Sequence, residues 1–272
     1  MPRKVTLGLI QADTEIGNVK ANVEKGVKLI AAAAAKGAQV VILPELFTTG
    51  YNTSILGPRF IQLAENINGP SITAFAAAAK ENGVYVMVGF VEERGVPGVV
   101  YNSAAFISPE GKVIDSYAKT HLWGGERIYF AKGNNFPIYQ TEYGLFAPGI
   151  CYDVGFPEVG RLYALKGAEL MLVISAWRIE DADIWENNCI ARATDNLFFV
   201  AGCNRVGYED NLHLIGKSKV LAPRGHYVAQ APMDKEDILI ATIDLDEIKE
   251  ARRECLYMID RRPELYGPLA SL

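Results

Sequence analysis

Short continuous apolar runs alternate along this chain with longer stretches in which apolar residues recur at helical spacing, the patterns of buried strands and amphipathic helices. Residues 4 to 12 predict a first strand. Asn18 to Lys36 predicts a helix, with Val19, Val23, Val27, Ile30 and Ala34 on one face and Gly37 ending it. Gln39 to Leu43 is an unbroken run of Val, Val, Ile and Leu, as in a strand covered on both faces, and it stops at Pro44-Glu45. An alanine-rich helix over 71–82 and a strand over 84–91 follow. Val100 to Ile107 and Lys112 to Tyr117 flank Ser-Pro-Glu-Gly, a turn signal, and predict a hairpin. Ala118 to Pro137, full of Gly, Asn and charge, predicts a long loop of the kind that tends to be functional.

The second half has a related order of elements. A short apolar run delivers Cys151 to a turn, followed by a helix over 157–167, a strand from Glu169 to Ser175, a helix over 181–197 and a strand from Phe198 to Asn204. A last antiparallel group is expected over 217–222, 226–231 and 237–243. The end of the chain, over 244–272, reads as a charged helix and an extended tail containing Asp-Arg-Arg-Pro-Glu-Leu-Tyr. Strands alternating with helices in two successive halves predict an α/β fold with helices packed outside sheets, and one compact domain over 1–272. No strong internal sequence repeat accompanies the repeated order.

Composition narrows the function classes. Half of the 272 residues are apolar and 22% are charged, enough to bury a large core. The net charge of −5, with scattered Lys and Arg, argues against a general attraction to nucleic acid or anionic membrane. The four cysteines (151, 189, 203, 255) show no CxxC spacing, and His121, His213 and His226 form neither HxH nor HExxH, so no metal site and no cofactor are expected. The start lacks an apolar signal core, and no run approaches the roughly 18 apolar residues of a spanning helix, which predicts a cytoplasmic protein with reduced thiols.

Three positions then stand out, each at the end of a separate strand. Glu45, in Val-Ile-Leu-Pro-Glu-Leu-Phe, lies where open α/β sheets place ligands, and its apolar neighbours suit it to acid–base work; a surface cap is the bland alternative. Lys119, in Tyr-Ala-Lys-Thr-His-Leu-Trp, offers an ammonium to polarise a carbonyl, the alternative being a solvated strand-end lysine. Cys151 precedes Pro157, which suits the first turn of a helix, so unpaired helix N–H groups near the sulfur favour a thiolate; an inert core thiol is the alternative. Gly149 is expected to let another backbone come close. His121 is a possible partner for Cys151, and Glu126, in Gly-Gly-Glu-Arg, a possible loop charge.

The segments Leu-Pro-Glu-Leu-Phe-Thr-Thr-Gly-Tyr, Tyr-Ala-Lys-Thr-His-Leu and Gly-Ile-Cys-Tyr-Asp-Val-Gly-Phe-Pro-Glu resemble, in order and separation, the three signature blocks of the nitrilase, or carbon–nitrogen hydrolase, superfamily. The likeness extends to Asn-Arg-Val-Gly, Gly-Lys-Ser, Ala-Pro-Arg-Gly and the terminal Asp-Arg-Arg-Pro-Glu-Leu-Tyr, so it covers nearly the whole chain. It implies a four-layer α-β-β-α sandwich, a Glu45–Lys119–Cys151 triad, Glu126 as a second glutamate, and association as a homodimer or larger oligomer. The chemistry implied is attack by Cys151 on an amide or nitrile carbon, with Glu45 as base and with Lys119 and the Tyr152 N–H stabilising the oxyanion.

For substrate, Tyr51, Trp123, Tyr152 and Trp177 offer aromatic walls for a compact amide. Gly155 stands where many relatives carry a basic residue, which lowers the expectation of an anionic substrate, although Arg178 could supply charge from another loop. The Arg192, Asp195 and Asn196 row reads as structural or interfacial. A small-carboxamide amidase is therefore expected, with nitrile or N-carbamoyl hydrolysis, a Cys-His hydrolase and a non-catalytic scaffold as competitors.

Overall fold

Alternation within single strands decides the architecture. In the computed structural model, which describes residues 3–271, successive side chains of one strand enter two different cores. Val5, Leu7 and Leu9 of β1 (Lys4–Gln11), Val40 and Ile42 of β2 (Val40–Ile42) and Met87 of β3 (Tyr85–Glu93) join an inner core, whereas Ile10, Val41, Val86 and Val88 meet helices on the outside. The inner core also contains Ile150 of β7 (Leu145–Ile150), Leu172 and Ile174 of β8 (Leu170–Ser175) and Cys203 of β9 (Phe199–Asn204), whose Sγ lies 3.2 Å from Ile10 O and Ile42 O of the first sheet, so it fills the space between two sheets. Each fully buried aliphatic side chain there contributes about 1.5–3 kcal/mol.

The first sheet has the order β14-β1-β2-β3-β4-β5, completed by β4 (Val100–Ile107), β5 (Val113–Ala118) and β14 (Asp237–Asp244). Its outer face carries α1 (Val19–Ala35) and α4 (Pro70–Asn82). The second has the order β13-β12-β9-β8-β7-β6, with β6 (Tyr139–Gln140), β12 (Lys219–Leu221) and β13 (Tyr227–Gln230). It is covered by α6 (Pro157–Leu165) and α7 (Ala182–Asn196). The layers run helix, sheet, sheet, helix, the expected four-layer sandwich. No helix of the described residues is long and apolar enough to cross a membrane.

Four expectations change. The segment 237–243 does not join the second sheet's antiparallel group; as β14 it pairs with β1 along eight positions, Lys4↔Asp244 to Gln11↔Asp237. A separate hairpin of β10 (Val206–Glu209) and β11 (Leu212–Ile215) occupies a stretch outside the elements predicted above. The loop after Pro44 forms α2 (Thr53–Leu56) and α3 (Arg59–Leu63), and the loop after β5 forms α5 (Glu126–Tyr129). Beyond α8 (Glu247–Glu254), 3-10 turns at Pro263–Leu265 and Gly267–Ala270 interrupt the expected extended tail.

Candidate active site

The carboxyl ends of β2, β5 and β7 bring Glu45, Lys119 and Cys151 to one place. After β2 the chain turns through Pro44 and Glu45 into Leu46, whose φ is 46°. That turn lies directly on β3: a Cβ at Gly89 would come within 2.5 Å of both Leu46 N and Pro44 O and 2.8 Å of Glu45 Cα. Glycine at 89 is thus what lets Glu45 sit where it does.

Glu45 is fully buried and accepts three hydrogen bonds. Lys119 Nζ and Asn102 Nδ2 both donate to Oε1 at 2.7 Å, and the Ala176 N–H donates to Oε2 at 2.9 Å. Lys119 Nζ also donates to Glu126 Oε1 at 2.7 Å, so one ammonium bridges two carboxylates in a dry setting. Neither surface alternative holds: Glu45 caps nothing on the surface, and Lys119 is 1% exposed. Burial works against the Lys119 ammonium, but the carboxylates of Glu126 and Glu45 outweigh it and hold its pKa above the ordinary lysine value. Glu126 is raised by burial and by Glu45, against the opposing pull of Lys119. The Tyr51 hydroxyl donates to Glu126 Oε1 at 2.6 Å; burial and the Glu126 charge push that phenol well up, which keeps its proton in place.

Cys151 follows β7 with φ 47°, a sparsely populated conformation for a non-glycine residue, and opens a 3-10 turn over Cys151–Gly155. The turn is tied by the buried Asp153. Its Oδ2 accepts from the Ile150 N–H (3.1 Å) and the Tyr117 hydroxyl (2.9 Å), and its Oδ1 accepts from the Thr120 hydroxyl (2.9 Å) and the His121 N–H (3.0 Å). As the second residue of this turn, Tyr152 has an N–H with no partner inside it.

The expected resting thiolate is corrected: burial and then the Glu45 charge raise the Cys151 pKa well above its ordinary value, and Lys119 offsets this only in part. The thiol therefore needs a base. Gly149 is also corrected, since its nearest neighbour is the Met171 side chain (Cε at 2.7 Å from a notional Cβ), not a backbone.

A cavity of about 160 Å³ leads to Cys151. Of the four candidate catalytic residues, Cys151 is 7% exposed against 0–1% for Glu45, Lys119 and Glu126, and it is the one of the four in the cavity lining. Tyr51, Trp123, Tyr152 and Trp177 all line the cavity, with Arg178, Asp181, Asn188 and Leu212. Trp177 is placed by Asn204, whose Oδ1 accepts from its N–H at 2.7 Å. The Arg178 guanidinium lies 4.9 Å from the Trp123 ring centre and pairs with Asp181 at 2.6 Å.

His121 is not brought to the sulfur. Its Nδ1 lies 2.9 Å from both Asp153 Oδ1 and Thr120 Oγ1, and its ring stacks on Phe156 at 3.8 Å. The Arg192–Asp195 pair (3.3 Å) sits on α7 outside the cavity lining. Among the described residues, no group of three or more His, Cys, Asp or Glu is arranged to hold a metal ion.

Three contributors were not singled out from sequence: Asn102, Asp153 and Glu209. Glu209 accepts from the Tyr51 N–H (3.0 Å) and the Asn52 N–H (2.6 Å) and pairs with the fully buried Arg205, fixing the loop that carries Tyr51. Asn102 and Asp153 lie inside a predicted strand and a signature block, where a buried polar residue is itself a signal.

Comparison with known proteins identifies the family and the fold. Residues 6–253 match the sequence model of the family described as carbon-nitrogen hydrolase. The chain is 33% identical to a probable nitrilase of Schizosaccharomyces pombe over 98% of this chain and 99% of that protein. It is 32% identical to a 2-oxoglutaramate amidase of Bacillus subtilis, over 97% of this chain and 100% of the relative. The crystal structure of a carbon-nitrogen hydrolase from Helicobacter pylori superposes with a TM-score of 0.92 at 29% identity, covering 98% of each chain.

Proposed function

The chain belongs to the carbon–nitrogen hydrolase family, and we propose that it hydrolyses the C–N bond of a small linear carboxamide through a thioester on Cys151. The observation that carries this reading is the buried Lys119 ammonium held 2.7 Å from both Glu45 and Glu126 beside the one sulfur that the cavity reaches.

The thiol proton passes to Glu45 as the sulfur attacks the carbonyl carbon. The developing oxyanion is met by Lys119 and by the Tyr152 N–H, both fixed before the substrate arrives. The C–N bond then breaks, Glu45 returns the proton to the departing nitrogen, and ammonia leaves. Water, deprotonated by the same carboxylate, adds to the thioester and releases the carboxylic acid and the thiol. Glu126 touches the ammonium and the Tyr51 hydroxyl, and its role is to hold Lys119 in place.

The relative named 2-oxoglutaramate amidase supports an amide and the one named a probable nitrilase supports a nitrile, so nitriles are the direct competitor in the substrate panel. Arg178 in the cavity wall favours a second reading, an amide with an anionic far end, because its Nε is engaged by Asp181 while the rest of the guanidinium remains for a carboxylate. The ligand is thus a small amide, with self-association measurable by light scattering as a separate part of the proposal.

The test is ammonia release across aliphatic amides, ω-amides, nitriles and N-carbamoyl compounds, with intact mass used to find an acyl adduct on Cys151. Cys151→Ala and Glu45→Gln should each lose about 10⁴-fold or more in kcat/KM. Full amide hydrolysis by Cys151→Ala would falsify the reading.

A further inference from the structure

We propose that Asn102 is a positioning residue for the base: it closes Glu45 Oε1, so that the proton of Cys151 is taken up by Oε2. The inference rests on the amidase reading of the site.

The two carboxylate oxygens of Glu45 are not equivalent. A carboxylate oxygen offers two lone-pair directions. Both directions at Oε1 are occupied, by Lys119 Nζ and Asn102 Nδ2 at 2.7 Å each. Oε2 accepts only the Ala176 N–H, at 2.9 Å, and keeps one direction open. Ala176 and Cys151 line the same cavity, and Ala176 directly follows β8, the parallel neighbour of β7 that carries Cys151. Oε2 is therefore the oxygen with the free lone pair, and its one donor, Ala176, lines the cavity together with the nucleophile.

Asn102 does this work at a cost to folding. It lies on β4, between β3 and the edge strand β5, is fully buried, and its own Oδ1 has no hydrogen-bond partner among the described residues. A buried amide kept for structure would use both ends; this one uses only its donor, and only on Glu45. Its place is set by the strand: the Asn102 carbonyl accepts the Lys119 N–H at 2.9 Å, so one residue registers the lysine through its backbone and the glutamate through its side chain.

The proton accounting is closed. Cys151 S–H gives its proton to Oε2 while the S–C bond forms; the same proton leaves Oε2 for the nitrogen as the C–N bond breaks, and Oε1 stays an acceptor of two hydrogen bonds throughout. Without Asn102, Oε1 has a vacant direction, the ionised form loses a donor, and the proton has two sites of which one is misdirected.

The experiment is the pH profile of two reactions in wild type, Asn102→Leu and Asn102→Asp: kcat/KM on an amide turned over by the wild type, and alkylation of Cys151 by iodoacetamide, which needs no knowledge of the substrate. Asn102→Leu should lower kcat about 10²-fold with KM within about threefold, and should move the acid limb of both profiles up by about one to two pH units. Asn102→Asp, which keeps the shape and sets a second carboxylate against the first, should move the limb at least as far. It carries the test alone if the leucine variant does not fold. An acid limb that stays in place in either folded variant, whatever happens to the rate, overturns the proposal. Absence of ammonia release from every amide in the wild type would overturn the amidase reading instead, while the alkylation profile still reads Asn102.

Discussion

The turns that follow β2 and β7 have similar backbones and opposite means of support. Each ends a strand flanked by a parallel neighbour, each presents a candidate catalytic side chain, and each passes through a non-glycine residue in the left-handed region, Leu46 at φ 46° and Cys151 at φ 47°. The first turn is seated from outside, on the bare backbone of Gly89, and its Glu45 is then pinned by three donors to the side chain itself. The second is tied from within, by the carboxylate of Asp153 two residues further on, while the Cys151 side chain faces the cavity. A base must keep its charge and aim in a dry site, so its atoms are held. A nucleophile must move onto carbon, so its backbone is held and its sulfur is left to travel.

If the first turn depends on close backbone approach, the largest effect short of removing the triad belongs to Gly89→Ala. The added methyl would overlap Leu46 N and Pro44 O, and the turn must lift. We expect kcat to fall by about 10²–10³-fold and stability by about 1–3 kcal/mol, measured by ammonia release and by denaturant unfolding. Wild-type turnover in this variant would show that the turn accommodates the methyl and that Glu45 owes its place to its side-chain donors alone.

Asp153→Asn probes the other turn and should cost less in rate. Its oxygens serve four donors, and an amide can accept on one side only. Two buried donors lose their partner, for about 2–3 kcal/mol of stability and roughly 10–10²-fold in kcat, with a matching fall in Cys151 alkylation. Because the base is untouched, the acid limb of the rate profile should keep its position. A shift of that limb would mean that the two turns are not separable.

How much of this was legible follows from where each residue's role is decided. Glu45, Lys119 and Cys151 stand at the ends of apolar runs, and a strand end is visible in one sequence; the two halves and the order of their elements were visible for the same reason. Asn102 and Asp153 owe their roles to partners 57 and 36 residues away, Glu45 and Tyr117 respectively, and no local pattern encodes such a pairing. The helix-dipole argument for a thiolate at Cys151 failed because it weighed the turn that follows and not the burial and the Glu45 charge, which win. The β10–β11 hairpin had a usable signal in Glu-Asp-Asn between Val-Gly-Tyr and Leu-His-Leu-Ile, a polar turn between half-apolar runs. The assignment of 237–243 to the wrong sheet has a different cause: alternation reports which face of a strand is buried, not which strand lies beside it, and β14 reaches β1 from more than two hundred residues away.

The smallest expected effect bears on the reading that competes most directly with this comparison, in which histidine and not glutamate activates the sulfur. His121 belongs to the support of the second turn. Its backbone N–H donates to Asp153 at 3.0 Å, its Nδ1 lies 2.9 Å from the same carboxylate oxygen, and its ring packs on Phe156. His121→Phe keeps the backbone bond and the stacking and loses the Nδ1 contacts to Thr120 Oγ1 and Asp153 Oδ1, of which the carboxylate oxygen retains two other donors. We therefore expect kcat/KM within about threefold of wild type and an unchanged acid limb. A general base contributes about 10²–10⁴-fold, so a loss of 10²-fold or more with normal folding would move that role to the histidine and leave Glu45 as an anchor for Lys119.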